Sequence, residues 1–329
     1  MAIIGIESLI YAVDDFEASI RFFLDFGLRL SNSEESVGIF VLPEGSRVII
    51  RRRNDSGLSR SIIQGAGVHE VIWGVDSAEA LEALAGDLAK DRVVRRDTDG
   101  TAHFQSDAGV AMGLRLFTKR PVHTAPDPLN SPGRINRLNS HRKWRKKAVP
   151  KTIGHVVFQL PDYERDDAFM CSRLHFRLSD SQLGFGKYLR ADGTTAHHNL
   201  LLLNANAAVP GMDGRARFHH ANFQVEDIDE VMVGANHMIR RGWPPSHLGL
   251  GRHRIDSALF YYLPCPAGGE AEYGADSDAL DDSWVAREWP SPLFGFAHFV
   301  HNLPPFLAQE PRWAVNYIED GAPADQGEH

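Results

Sequence analysis

Residues 251–274 read GRHRIDSALFYYLPCPAGGEAEYG and carry a histidine (His253), a tyrosine (Tyr262) and a carboxylate (Glu272) on one short stretch. The pattern predicts a strand over 260–263, a turn over 264–269 and a returning strand over 270–274. Side chains two apart on a strand share a face, so Glu270 and Glu272 point one way and Ala271 and Tyr273 the other. A carboxylate on a strand packed inside a domain needs a compensating charge, and a metal ion is one candidate.

Histidine partners lie upstream. Residues 154–158 read GHVVF and 219–223 read HHANF, so His155 and His220 each open a His-x-x-Phe strand that ends in an acidic turn (Pro161-Asp162 and Glu226-Asp227). The segments after them, 164–174 and 228–240, predict helices. Two neutral imidazoles and one carboxylate with open positions make the facial triad that suits non-haem Fe(II). The spacings are 65 and 52 residues, so three distant strands must converge. The chain holds 16 histidines, and the arrangement rather than any single one carries the reading. Taken singly, His198 before the Leu200–Leu203 run is a strand-entry histidine, Tyr262 a core residue and His253 a loop residue.

The N-terminal third supplies an internal control. Ser8 stands where the second half has His155, Glu70 where it has His220, and Gly113 where it has Glu272, at offsets of 147, 150 and 159 residues. The strands are repeated and the triad is not, which points to a site in the second half only. His69, beside Glu70, is the position where that alignment is weakest.

The chain resembles the type I extradiol ring-cleavage dioxygenases of the vicinal oxygen chelate superfamily, such as catechol and dihydroxybiphenyl dioxygenases. The resemblance covers about residues 1–300 and is most specific at 250–276, where the family runs Gly-Arg-His, an aromatic strand, then P-S-G-x-E-x-E-Y-G. Here the last motif is PAGGEAEYG (266–274), with Ala267 in place of the serine. The resemblance implies iron ligands His155, His220 and Glu272, and around them His198, His253 and Tyr262. It implies that Asp256 and Pro292 line the substrate pocket. His197 and His219 are the alternatives within the two histidine pairs. It further implies Fe(II), with Mn(II) as the other metal, O2 as co-substrate, a catecholic substrate, a role in aromatic catabolism and a homo-oligomer. A histidine of near-neutral pKa suits the base that takes the diol proton, and His198 is the expected one. Tyr262 and His253 would hydrogen-bond the substrate oxygen.

Composition agrees. At 329 residues the chain accommodates two domains. The net charge of −8 argues against a general nucleic-acid or membrane binder. No apolar run approaches the roughly 18 residues of a membrane span. The first ten residues lack a secretion signal, and only two cysteines, Cys171 and Cys265, occur. Both features suggest the cytoplasm. We expect an α+β chain of two tandem domains, each of paired βαβββ modules: a metal-free domain at 1–118, a Pro-containing connector at 119–151, a catalytic domain at 152–275 and an extension at 276–329. The connector's second half, 134–151, holds eight Lys/Arg and no acid, which reads as a linker or subunit contact. Two other readings stand beside the dioxygenase. One is another metalloenzyme of the same superfamily, a glyoxalase-like isomerase or hydroxyphenylpyruvate-type oxygenase. The other is a non-catalytic binder of aromatic ligands.

Overall fold

The computed structural model describes residues 2–318; the tail 321–329, expected to be disordered, lies outside them. The first unit runs β1 (Ile3–Val13), α1 (Phe16–Phe26), β2 (Arg29–Ser33), β3 (Val37–Val41) and β4 (Arg47–Arg52). It continues with β5 (Gly67–Val75), α2 (Ala78–Leu88), β6 (Arg95–Arg96), β7 (Ala102–Gln105) and β8 (Ala111–Leu116). That is βαβββ twice, closed into one sheet of order β2-β3-β4-β1-β5-β8-β7-β6. The second unit has β9 (Thr152–Leu160), α3 (Tyr163–Leu174), β10 (Arg177–Gln182), β11 (Gly186–Arg190) and β12 (Leu200–Asn204). Then come β13 (Arg217–Gln224), α4 (Ile228–Arg240), β14 (Gly251–Arg252), β15 (Leu259–Pro264) and β16 (Glu270–Ala275). Its order, β10-β11-β12-β9-β13-β16-β15-β14, repeats the first. The fold class is therefore the expected α+β tandem.

The remaining elements belong to the C-terminal extension. They are β17 (Arg287–Trp289), α5 (Pro292–Phe296), β18 (Phe299–Val300), a 3-10 turn at Pro305–Leu307 and β19 (Asn316–Tyr317). β18 adds outside β14, and β17 with β19 adds outside β10, so the extension covers both edges of the second sheet. Strands β2 and β6 form the two edges of the first sheet. Both are polar, exposed edge strands, and neither carries the alternating apolar signal that marks a half-buried strand. Pro264 was expected in the turn but ends β15 opposite Glu270; a proline lacking its donor is tolerated at a strand end.

Strand register tests the internal repeat. Ile10 pairs with Glu70 in the first sheet as Val157 pairs with His220 in the second. Glu70 pairs with Ala111 as His220 pairs with Glu270, and Ile72 with Gly113 as Asn222 with Glu272. All three offsets read from the sequence are thus the structural ones, and Glu70 rather than His69 is the counterpart of His220.

The two units share one hydrophobic core. Helix α1 starts where the Asp15 carboxylate accepts the Ala18 amide and ends at Gly27, whose φ of 106° requires glycine. A Cβ there would also lie 2.2 Å from the Ala148 carbonyl oxygen. The aromatic side of α1 reaches into the second unit. Phe26 stacks on Tyr273 at 4.0 Å, and the Tyr273 hydroxyl donates to the Phe26 carbonyl at 2.8 Å. Phe23 and Phe26 also meet Phe223 edge-on. The first unit thereby braces β13 and β16 from the helix side. Two smaller apolar clusters occupy the other side: one includes Val157, Tyr188, Leu201 and Trp289, the other Leu248, Phe260 and Tyr262.

The basic connector docks on the acidic start of α4. Arg142 pairs with Asp229, Lys143 and Arg145 with Glu226, and Lys151 with Glu230. Half of its eight cations are thus neutralised within the chain. Both cysteines are free, and burial pushes each thiol up to about 12.

Candidate metal centre

Six side chains singled out in the sequence follow one another along the second sheet. Strands β14, β15, β16, β13, β9 and β12 are consecutive neighbours. His253 follows β14, Tyr262 lies on β15, Glu272 on β16, His220 on β13 and His155 on β9, and His198 precedes β12. Tyr262 sits directly opposite Glu272 in the ladder.

At the centre, three acceptor atoms converge. Nε2 of His155 and Nε2 of His220 are 3.2 Å apart, and each lies 3.3 Å from Oε2 of Glu272. Glu272 is fully buried, and neither of its oxygens has a hydrogen-bond donor among the described residues. The imidazoles therefore approach at ion-pair distance but off hydrogen-bond geometry. Burial alone would raise the Glu272 carboxyl; the two imidazoles hold it well below the usual carboxylate range. Nδ1 of His220 lies 2.7 Å from Nδ1 of His219, so the second ring nitrogen of His220 is engaged and Nε2 is left for a ligand. A buried carboxylate with two orphaned oxygens beside two imidazole nitrogens is the donor set a divalent transition ion satisfies, and the residues fit such an ion.

The flanking groups are ordered by hydrogen bonds. The Phe296 carbonyl accepts only, so Nδ1 of His253 donates to it at 2.5 Å, and Nε2 of His253 then accepts the Tyr262 hydroxyl at 3.1 Å. Burial, then the Glu272 charge, raises Tyr262 well above an ordinary phenol and keeps it protonated. On the other flank, the His198 ring stacks on His155 at 4.1 Å. Burial, reinforced by His155 and His197, pushes His198 well below its ordinary value.

Asp256 is buried, with Oδ2 3.9 Å from Nδ1 of His198. Pro292 is placed differently. It opens α5, and its carbonyl accepts Nε2 of Gln182 at 2.7 Å, so its link to the histidines runs through other side chains. Gln182 in turn accepts the hydroxyl of Tyr188, whose ring edges on His198 at 5.0 Å. Sequence reading missed Tyr188, Asp180 and Arg287. No local signal marked Asp180: its strand reads RLSDSQ, mostly polar, and its burial is evident only in the structure.

The counterpart positions in the first unit hold no such convergence. Glu70 accepts Ser59 Oγ at 2.8 Å and pairs with His103 Nδ1 at 2.6 Å. Ser8 accepts Arg47 Nε at 3.0 Å, and Arg47 also pairs with Glu7 at 2.9 Å.

No protein-family model matches the chain. Metapyrocatechase 2 of Cupriavidus necator is 26% identical over 299 residues, covering 89% of this chain and 86% of that one. The Mn(II)-bound glyoxalase from Novosphingobium aromaticivorans superposes with a TM-score of 0.69 at 21% identity, covering 90% of this chain and 91% of that one. BphC, a halotolerant catechol dioxygenase, superposes with a TM-score of 0.68 at 19% identity over 92% and 97%. The two structural likenesses are likenesses of fold.

Proposed function

We propose that this chain, a relative of the extradiol dioxygenases with their vicinal oxygen chelate fold, opens the ring of a catechol beside its two hydroxyls and inserts both atoms of O2. The observation that carries this reading is the convergence of His155, His220 and Glu272 on one point, with His198 on one flank and the His253–Tyr262 pair on the other. Fe(II), or Mn(II) in its place, held by those three residues supplies a chelation point for the diol and a one-electron route for O2.

The remaining chemistry is assigned to side chains. His198, neutral in its buried setting, takes a diol proton on its free ring nitrogen. Tyr262 keeps its own proton committed to His253, so its oxygen lone pairs face the substrate as acceptors. Asp256 and Pro292 line the pocket wall beyond His198. The sheet holds His198, His253 and Tyr262 on strands or their immediate flanks, which fixes their separations before substrate arrives. The protein acts in the cytoplasm, in aromatic catabolism; its two free cysteines fit a reducing compartment, and no helix among the described residues is long and apolar enough to cross a membrane. It assembles as a homo-oligomer, for which the exposed Ile135, Leu138 and Trp144 of the connector offer an apolar surface.

Likeness in fold to a Mn(II)-bound glyoxalase supports a second reading, an isomerase that reuses the same ligands. The His253–Tyr262 pair and His198 speak for the dioxygenase, because ketonising a diol needs proton-handling groups on both flanks. The test is anaerobic loading with Fe(II), then oxygen uptake and visible absorbance with catechol, 3-methylcatechol and 2,3-dihydroxybiphenyl. Stoichiometric uptake with a yellow product is expected. Bound iron with no uptake on any diol would transfer the assignment to the isomerase.

A further inference from the structure

We propose that His197, Asp180 and Arg287 form a positioning relay that fixes His198 in the tautomer with Nδ1 protonated and Nε2 bare. The inference deepens the reading of His198 as the diol base and rests on it only for its functional consequence.

The relay begins at Asp180, a fully buried carboxylate on β10. Its Oδ1 accepts Arg287 Nε at 2.9 Å, the Arg287 backbone amide at 3.2 Å and Trp289 Nε1 at 3.2 Å. Its Oδ2 accepts Arg287 Nη2 at 2.7 Å and faces His197 Nε2 at 2.6 Å. A carboxylate paired with a guanidinium has no proton to give, so Nε2 of His197 must donate. Because the Arg287 guanidinium already answers the Asp180 charge, no second cation is needed there, and the His197 lone pair is assigned to Nδ1. That atom lies 3.1 Å from Nδ1 of His198. Two facing nitrogens share one proton, and the lone pair on His197 requires that it belong to His198. The other ring nitrogen of His198 is left as an acceptor, with no hydrogen-bond partner among the described residues.

The outcome inverts the preference of a free imidazole, which carries its proton mainly on Nε2. A base must present a lone pair to its substrate, and here the chain dictates which nitrogen presents it. Asp256, 3.9 Å from Nδ1 of His198, reinforces the same choice by favouring a proton on that side. The relay also gives the C-terminal extension a purpose: Arg287 and Trp289 both lie on β17, which pairs in parallel with β10 and delivers them to Asp180. The sequence shows an adjacent His-His pair at 197–198. The structure makes the first member the orienting group and leaves the second free.

The tautomer is read directly from the 15N shifts of the His198 ring in full-length, metal-free protein at pH 7.5, assigned against His198→Phe. A protonated Nδ1 with a lone-pair Nε2 is expected; the reverse pattern overturns the relay whether or not any variant folds. With Fe(II)-loaded protein and catechol, His197→Phe should lower kcat by roughly tenfold to a hundredfold while iron content and KM stay within about threefold. His197→Asn places an amide oxygen where Nδ1 stood and should recover most of the lost turnover. Unchanged kcat in His197→Phe, or equal losses in both variants, overturns the proposal. If wild type turns over no diol, the dioxygenase reading fails, and the 15N pattern still decides the relay.

Discussion

Asp166→Asn should make the protein more stable at neutral pH. Asp166 lies in the first turns of α3, fully buried, and its two oxygens accept Ser106 Oγ and the Ala108 amide of the first unit, both at 2.7 Å. It is thus a latch between the two halves of the chain. Burial raises its carboxyl from 3.8 to about 6, against the lowering effect of those two donors. A carboxyl raised on folding binds its proton more tightly in the folded state. Its contribution is full below the unfolded value and is lost as pH rises through about 6. Two pKa units correspond to about 3 kcal/mol at most. Asparagine keeps an acceptor for Ala108 and carries no charge to bury, so the substitution removes that loss. Urea unfolding of the metal-free proteins should show the variant gaining about 1–3 kcal/mol at pH 7.5 and nothing near pH 4, with other titrating groups cancelling in the difference. A variant destabilised by more than about 1 kcal/mol at both pH values would show that the donors, not the desolvation, dominate this carboxylate.

Three other outcomes follow from the packing and the site. His220→Ala and Glu272→Ala should each abolish stoichiometric iron on metal analysis, because each removes one of three converging donors; normal iron in either would sink the ligand assignment. His198→Phe should retain iron and lose roughly 10²–10⁴ in turnover, the range expected for a general base; wild-type rates would remove its role. Tyr273→Phe leaves the stack on Phe26 in place and removes only the hydroxyl that caps the Phe26 carbonyl. It should cost about 1–3 kcal/mol in urea unfolding, the penalty of an orphaned buried acceptor.

What the sequence revealed was what local rules encode. The strands bearing His155, His220 and Glu272 announced themselves by alternation and by their turns, and the repeat offsets matched the strand register because both halves conserve the same pairings. What it hid was set by distance along the chain. Asp180 and Arg287 are 107 residues apart, and no local pattern joins an acid in one strand to a cation in an extension. Pro292 shows the reverse case. Its position by family pattern was clear, yet its hydrogen bond is to Gln182, since the turn around it is fixed by packing of the extension rather than by the catalytic strands. His197 and His219 were visible only as rivals of their neighbours. Which member of an adjacent pair turns inward depends on strand register and bulges, such as the shift between Phe218 and His220.

The salt bridges of the first unit bear on how such a duplicated protein can change. Glu70 has His103, and Ser8 and Glu7 have Arg47, so this half answers its buried acids with side chains from its own fold. Where Glu272 stands in the second half, the first has Gly113. A Cβ on Gly113 would lie 2.6 Å from Ile72 Cδ1 and 3.3 Å from the Ala102 carbonyl oxygen. Rebuilding the missing ligands would therefore require clearing space and displacing a resident guanidinium at once. No single substitution on that route yields a metal site, and several of them strand a buried charge. The two halves are therefore not interchangeable: the charge pairs and tight packing of the first commit it to a structural part, and the converging donors belong to the second.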